Sequence, residues 1–258
     1  MLTYPAIKPY LIKIGPLQIR WYGLMYLFGL ACSFFLVKRE IKRLGLKIDS
    51  DDIENLYFYV FAGMLLGARI GYILFYNLSF YLTNPLEVFA VWHGGMSFHG
   101  GLTLGVVFGI YFCVKRDIDY LKLLDVIIPT IPLTLAFGRI GNFINRELYG
   151  RPTDMPWGMI FPDAGLIPRH PSQIYEFLLE GVLLFIILWT TKGHIKTKGA
   201  ALPLFLTLYG VFRIIAEFFR EPDIQVGLFF EIITMGQILS LSMIIAGAVI
   251  YRILSKFK

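Results

Sequence analysis

Seven apolar runs, each near the length of a bilayer-crossing helix, constrain this chain more than any other feature. They fall at about residues 17–37, 55–76, 98–114, 122–143, 173–191, 200–219 and 231–254. A helix needs about 20 predominantly apolar residues to cross the hydrocarbon core. The chain is 57% hydrophobic and 16% charged, whereas soluble domains average about 45–50% apolar and about 25% charged residues. The expectation is an all-α polytopic membrane protein with seven transmembrane helices, forming a single membrane-embedded domain over residues 1–258.

The connections set its orientation. Lys38, Arg39, Lys42, Arg43 and Lys47 follow the first run, and Lys115, Arg116 and Lys122 follow the third. Lys192, Lys196 and Lys198 follow the fifth; Arg252, Lys256 and Lys258 follow the seventh. Residues 77–97 and 221–230 hold no Lys or Arg. Basic loops stay in the cytoplasm, so the N-terminus is expected outside and the C-terminus inside. Lys8, Lys13 and Arg20 are a weaker counter-signal. The net charge of +6 follows from this one-sided crowding and implies no nucleic-acid partner. Cys32 and Cys113 lie in apolar runs and make no disulfide framework. The basic residues follow the first run instead of preceding it, so it reads as a retained helix and not a signal peptide.

Three segments lie between the runs. Residues 1–16, with Pro5, Pro9 and Pro16, read as an outer-surface arm. Residues 77–97, with Trp92, read as a second interfacial arm. Residues 147–172 hold five prolines and read as a non-helical extracytoplasmic cap; a loop of that length in a compact domain is usually functional. Gly63, Gly67 and Gly71 recur every four residues, as do Gly101, Gly105 and Gly109. Such stripes let membrane helices touch backbone to backbone.

Polar groups interrupt the apolar pattern at four places. Arg139, Asn142 and Arg146 sit at helical spacing on one face, with Glu147 beyond. Intramembrane charge is costly and marks bundle interiors or wet cavities. Arg213, Glu217 and Arg220 share a second face, where Glu217 can bridge both arginines; the alternative is an internal salt bridge that only neutralises a buried helix. His93-Gly94-Gly95 and His99-Gly100-Gly101 double one motif, and histidine is the usual acid or base near neutral pH. Arg69 stands between Gly67 and Gly71, open to either a structural or a functional role. Arginines gathered at one membrane level suit an anionic headgroup, because guanidinium bonds phosphate bidentately.

Several chemistries drop out. The histidines at 93, 99, 170 and 194 show no H-E-x-x-H spacing and no zinc-ligand cluster, so neither a metal nor another cofactor is expected. There is no G-x-S-x-G elbow and no cysteine beside a histidine motif, so the nucleophile is expected to come with a substrate.

These residues together resemble the prolipoprotein diacylglyceryl transferase family. Gly138-Arg139-x-Gly141-Asn142-Phe143-x-Asn145-x-Glu147-x-x-Gly150 resembles its signature, and Gly94 to Gly101 its histidine motif. Arg20 to Tyr26, Arg169-His170-Pro171-Ser172-Gln173-x-Tyr175-Glu176 and Arg213-x-x-x-Glu217-x-x-Arg220-x-Pro222 extend the likeness over residues 15–250. The resemblance implies transfer of the diacylglyceryl group of phosphatidylglycerol to the lipobox cysteine of a preprolipoprotein signal peptide. A thioether forms and glycerol phosphate leaves, in the bacterial cytoplasmic membrane. It implies catalytic roles for His99, Arg139, Arg213 and Glu217, and substrate contacts from Tyr22, Asn142, Glu147 and Arg220. His99 is either the base or a positioning group. The rival classes are an anion or lipid transporter, which would show paired repeats or broken helices, and a scaffold, which leaves the polar cluster unexplained.

Overall fold

The computed structural model describes residues 2–14, 17–90, 94–195, 197–222, 228–229 and 232–257. Expectations resting on Pro16, Trp92, His93, Lys196 and Lys258 lie outside the described residues. The chain forms two compact units, Met1–Glu40 with Leu121–Lys258, and Ile41–Tyr120. In order it runs β1 (Leu2–Thr3), β2 (Tyr10–Ile14), β3 (Leu17–Arg20), α1 (Trp21–Leu44), α2 (Ser50–Tyr76), α3 (Leu78–Thr83), α4 (Phe98–Lys115), α5 (Tyr120–Ile127), α6 (Ile131–Ile144), β4 (Met159–Ile160), α7 (Ser172–Glu176), α8 (Leu184–Thr191), α9 (Ala201–Glu217), β5 (Leu228–Phe229), β6 (Ile233–Thr234) and α10 (Met235–Leu254).

Helices dominate, as the apolar runs require. Among the described residues six helical stretches are long and apolar enough to cross a membrane: Trp21–Leu44, Ser50–Tyr76, Phe98–Lys115, Tyr120–Ile144, Ser172–Thr191 and Met235–Leu254. The expected sixth span is α9, which has 17 residues and falls just short of that length. Boundaries move where local pattern overrides hydropathy. The first run was expected to start near residue 17, but Leu17-Gln18-Ile19-Arg20 alternates with period two and pairs with β2, Ile12 opposite Ile19. The helix starts at Trp21 and continues through Lys38 and Arg43 to Leu44.

The fourth run is helical in two pieces. Pro129 lacks an N–H and its ring crowds the preceding turn, so Ile128–Thr130 tightens into a 3-10 turn between α5 and α6. The Thr130 hydroxyl donates to the Ile127 carbonyl at 2.7 Å and lies 2.7 Å from the Ser33 hydroxyl of α1. Polar groups deep in the run are thereby satisfied within the protein. The fifth run is also composite: α7 and α8 flank a π-helical turn, Phe177–Leu183.

In the unit Ile41–Tyr120 the glycine stripes do what their spacing predicts. A Cβ on Gly67 would strike the Gly100 carbonyl, and one on Gly71 would come within 2.8 Å of the Gly100 Cα. α2 and α4 therefore touch along their backbones, the close approach that small residues permit in lipid. Arg69 organises the second arm. Its guanidinium donates to the carbonyls of Val88 at 2.9 Å and Gly94 at 2.6 Å, and also to that of Glu87. It sits 5.1 Å over the Tyr81 ring. The arm is partly helical, with α3 and a 3-10 turn at Pro85–Phe89.

In the other unit the first arm and the cap are stitched together. β1 pairs in parallel with β4, Leu2 opposite Met159. Phe161 is fully buried against the rings of Tyr4, Phe143 and Tyr149. Arg146 was expected on the face of Arg139 and Asn142. α6 instead ends at Ile144, and Arg146 adopts φ 60°. Its guanidinium donates to the Ile7 carbonyl at 3.2 Å and lies 5.4 Å over Tyr4, so it pins the arm.

Candidate active site

Five charged side chains from three segments meet inside the unit that contains α6 and α9. α6 contributes Arg139, the composite fifth run contributes Glu176 and Glu180, and α9 contributes Arg213 and Glu217. Arg139 Nη1 lies 3.1 Å from Glu176 Oε2, and its Nη2 lies 3.0 Å from Glu180 Oε2. Arg213 Nη1 lies 2.6 Å from Glu176 Oε1 and 3.3 Å from Glu180 Oε1. Arg213 Nη2 lies 3.0 Å from Glu217 Oε2. Glu176 and Glu180 are fully buried, while the arginine side chains keep 18% and 11% of their exposure. Charged groups so placed persist only when paired. The charge of Arg220 also acts on Glu176.

The local sequence explains how this cluster forms. Gly138 and Gly141 flank Arg139 and lie under α1. A Cβ on Gly138 would come within 2.8 Å of the Tyr26 ring, and one on Gly141 within 2.9 Å of the Tyr22 ring. These two tyrosines stack edge-on, centroids 5.0 Å apart, with their hydroxyls 3.5 Å apart. On another side of α6, Gly181 lies so close to Ala136 that a Cβ would approach its Cα to 2.9 Å.

Beyond Arg139, Asn142 Nδ2 donates to Glu147 Oε1 at 2.8 Å. Asn145 Nδ2 donates to the same oxygen at 3.3 Å. The chain turns here through two residues of positive φ, Arg146 and Leu148, a conformation costly for non-glycine residues and concentrated at functional sites. Buried Gln173 donates to the Glu147 carbonyl at 2.7 Å. Its Oε1 and the Asn145 Oδ1 have no partner among the described residues, which marks places where a substrate or water would complete the bonding.

The cap closes above. Gly150 N–H donates to the His170 carbonyl at 2.8 Å and Arg151 N–H to the Phe219 carbonyl at 2.9 Å. Arg151 Nε donates to the Arg220 carbonyl at 2.9 Å, and Arg169 pairs with Glu221 at 2.9 Å. Burial lowers the pKa of His170 below the ordinary imidazole value; its Nδ1 lies 3.0 Å from the Tyr175 hydroxyl.

The structure therefore brings Arg139, Arg213 and Glu217 into one network, with Asn142 and Glu147 bonded to each other and Tyr22 packed on Gly141. Glu217 engages Arg213 as its spacing suggested. Arg220 is tied to the cap through its backbone. His99 belongs to the unit Ile41–Tyr120. It is exposed in the first turn of α4, beside the Phe98 ring at 5.6 Å, where Ser97 caps the helix by accepting from Gly100 N–H. Glu176 and Glu180 lie outside the site residues expected from the sequence. The available signal was two acids four residues apart within an apolar run. Among the described residues, no group of three or more His, Cys, Asp or Glu is placed to hold a metal ion.

The apolar helices and the buried Arg–Glu network define a polytopic membrane protein with a polar site among its helices. A family model for prolipoprotein diacylglyceryl transferase matches residues 9–253, and the chain belongs to that family. Similar proteins include the phosphatidylglycerol–prolipoprotein diacylglyceryl transferases of Nitratidesulfovibrio vulgaris strain DP4, 51% identical over 98% of this chain and 96% of that protein, and of Geobacter sulfurreducens, 47% identical over 100% and 99%. That of Pseudomonas aeruginosa strain LESB58 is 49% identical over 96% and 93%. The chain is a transferase.

Proposed function

We propose that this protein moves the diacylglyceryl group of phosphatidylglycerol onto the lipobox cysteine of preprolipoprotein signal peptides, the first step of lipoprotein maturation. The thiol loses its proton, its sulfur bonds the glyceryl carbon, the carbon–oxygen bond to phosphate breaks, and glycerol phosphate departs. The Arg139–Glu176–Glu180–Arg213 network is the observation that carries the reading. Each guanidinium has five N–H donors, more than the carboxylates use, and the rest can meet the charge that grows on the leaving phosphate. The carboxylates already balance the guanidinium charge, so oriented donors stabilise the phosphate where net positive charge would not. His99 takes the thiol proton, while Tyr22, Asn142, Glu147 and Arg220 line the lipid and peptide path. Both substrates arrive in the membrane plane, which adds proximity.

With phosphatidylglycerol and a lipobox peptide, the purified protein should add one diacylglyceryl unit to the peptide and release glycerol phosphate in equal amount. The product should survive hydroxylamine, as a thioether does and a thioester does not. A serine peptide should stay unmodified, because a hydroxyl ionises far less than a thiol. An unmodified cysteine peptide under conditions where lipid binds would end this reading.

All 258 residues then form one transferase domain with seven spans, α9 being the additional one. At about 1.5 Å per residue its length approaches the bilayer core, and the basic clusters after alternate spans put the C-terminus in the cytoplasm. In a variant lacking Cys32 and Cys113, single cysteines at 38–50, 115–122 and 192–199 should resist an impermeant thiol reagent in intact cells. Labelling at 192–199 would overturn the seven-span arrangement.

A further inference from the structure

We infer that Glu176 and Glu180 are positioning residues for the transfer reaction: together they set the separation and planes of the Arg139 and Arg213 guanidiniums. The inference rests on the transferase reading of this site. Each carboxylate divides its two oxygens between the two arginines. Glu176 meets Arg213 at 2.6 Å and Arg139 at 3.1 Å, and Glu180 meets Arg213 at 3.3 Å and Arg139 at 3.0 Å. Charge balance alone would not require either acid to be shared between the two arginines, and Glu217 already stands one turn from Arg213 at 3.0 Å. What the doubled bridge adds is geometry. Four contacts close a ring that links α6 to α9 through the fifth run, and neither guanidinium can turn without breaking a contact to a fully buried acid.

The backbone is built for this ring. The π-helical turn Phe177–Leu183 carries Glu180 and follows directly on Glu176. Its i→i+5 bonding widens the turn relative to an α-helix, and such turns recur at functional sites. Gly181, inside the turn, lets the backbone reach Ala136, three residues before Arg139 in α6. The carboxylates themselves have no exposure, so they act on a substrate only through the arginines.

The test uses the full-length protein with phosphatidylglycerol in detergent micelles and a lipobox peptide, reading kcat, the lipid KM and the thermal midpoint. Glu180→Asp keeps the charge but withdraws the carboxylate by one methylene. It should lower kcat by about 10²-fold, the scale of a misplacement near 1 Å, with lipid KM and midpoint close to the parent's. Glu180→Gln combined with Arg139→Lys should lose less turnover than the product of the two single losses, because the share of the Glu180 effect that runs through Arg139 is already gone. Losses that multiply in the double variant would overturn the inference. So would a Glu180→Asp protein with parental kcat, or one whose midpoint falls while each folded molecule turns over normally. If Glu180→Gln does not insert, Glu176→Asp replaces it in the cycle with the same expectations. Parent protein that binds lipid yet leaves the peptide unmodified would overturn the transferase reading instead, and this inference with it.

Discussion

Arg139→Lys and Arg213→Lys should each lower kcat by about 10²–10³-fold, the usual loss when a donor to a developing anion is removed, while the protein still inserts and folds. Lysine preserves the positive charge, so Glu176, Glu180 and Glu217 keep a cationic partner and the buried acids are not stranded. Lysine has no planar fork. Arg139 reaches two different glutamates through separate terminal nitrogens at 3.1 and 3.0 Å, and one ammonium cannot hold both positions and still present donors to a phosphate. Arg213 is more committed, contacting three carboxylates. Turnover and thermal midpoint measured on the same preparations check the expectation. Near-parental turnover in both variants would show that charge alone suffices and that bidentate phosphate contact is not used.

His99→Gln should lower kcat by about 10²–10⁴-fold, the range for loss of a general acid or base, with lipid affinity retained. Glutamine can replace a hydrogen bond but cannot take a proton. His99 is exposed in the first turn of α4, and its ring packs only on the neighbouring Phe98 among the described contacts. The substitution should therefore leave packing intact and isolate the proton step. Lipid binding and single-turnover chemistry measured separately decide the matter, and an equal loss in lipid affinity would assign His99 to substrate positioning.

Much of the architecture was legible in the sequence because lipid imposes a simple rule. Every spanning segment must satisfy its backbone internally and present apolar side chains, so hydropathy marks helices directly. The failures came where local bonding competes with that rule. Leu17–Arg20 is apolar enough to extend a span, yet its alternation commits it to a strand. Arg146 sits at helical spacing from Arg139 and Asn142, yet the helix stops before it.

For the site, the intramembrane arginines advertised themselves by their cost in an apolar run, and the glycines around Arg139 indicated that something packs closely there. Composition and spacing by themselves determined the membrane class, the helix pattern and which charged groups required an explanation. Only the tertiary structure decided how those charges are satisfied. Helical spacing relates residues within one segment, so it found Glu217 beside Arg213. Glu176 and Glu180 lie on a different segment from either arginine, and no periodicity connects them. That pairing depends on Gly181 bringing the fifth run against α6, and on the high cost of leaving a buried carboxylate or guanidinium without its partner.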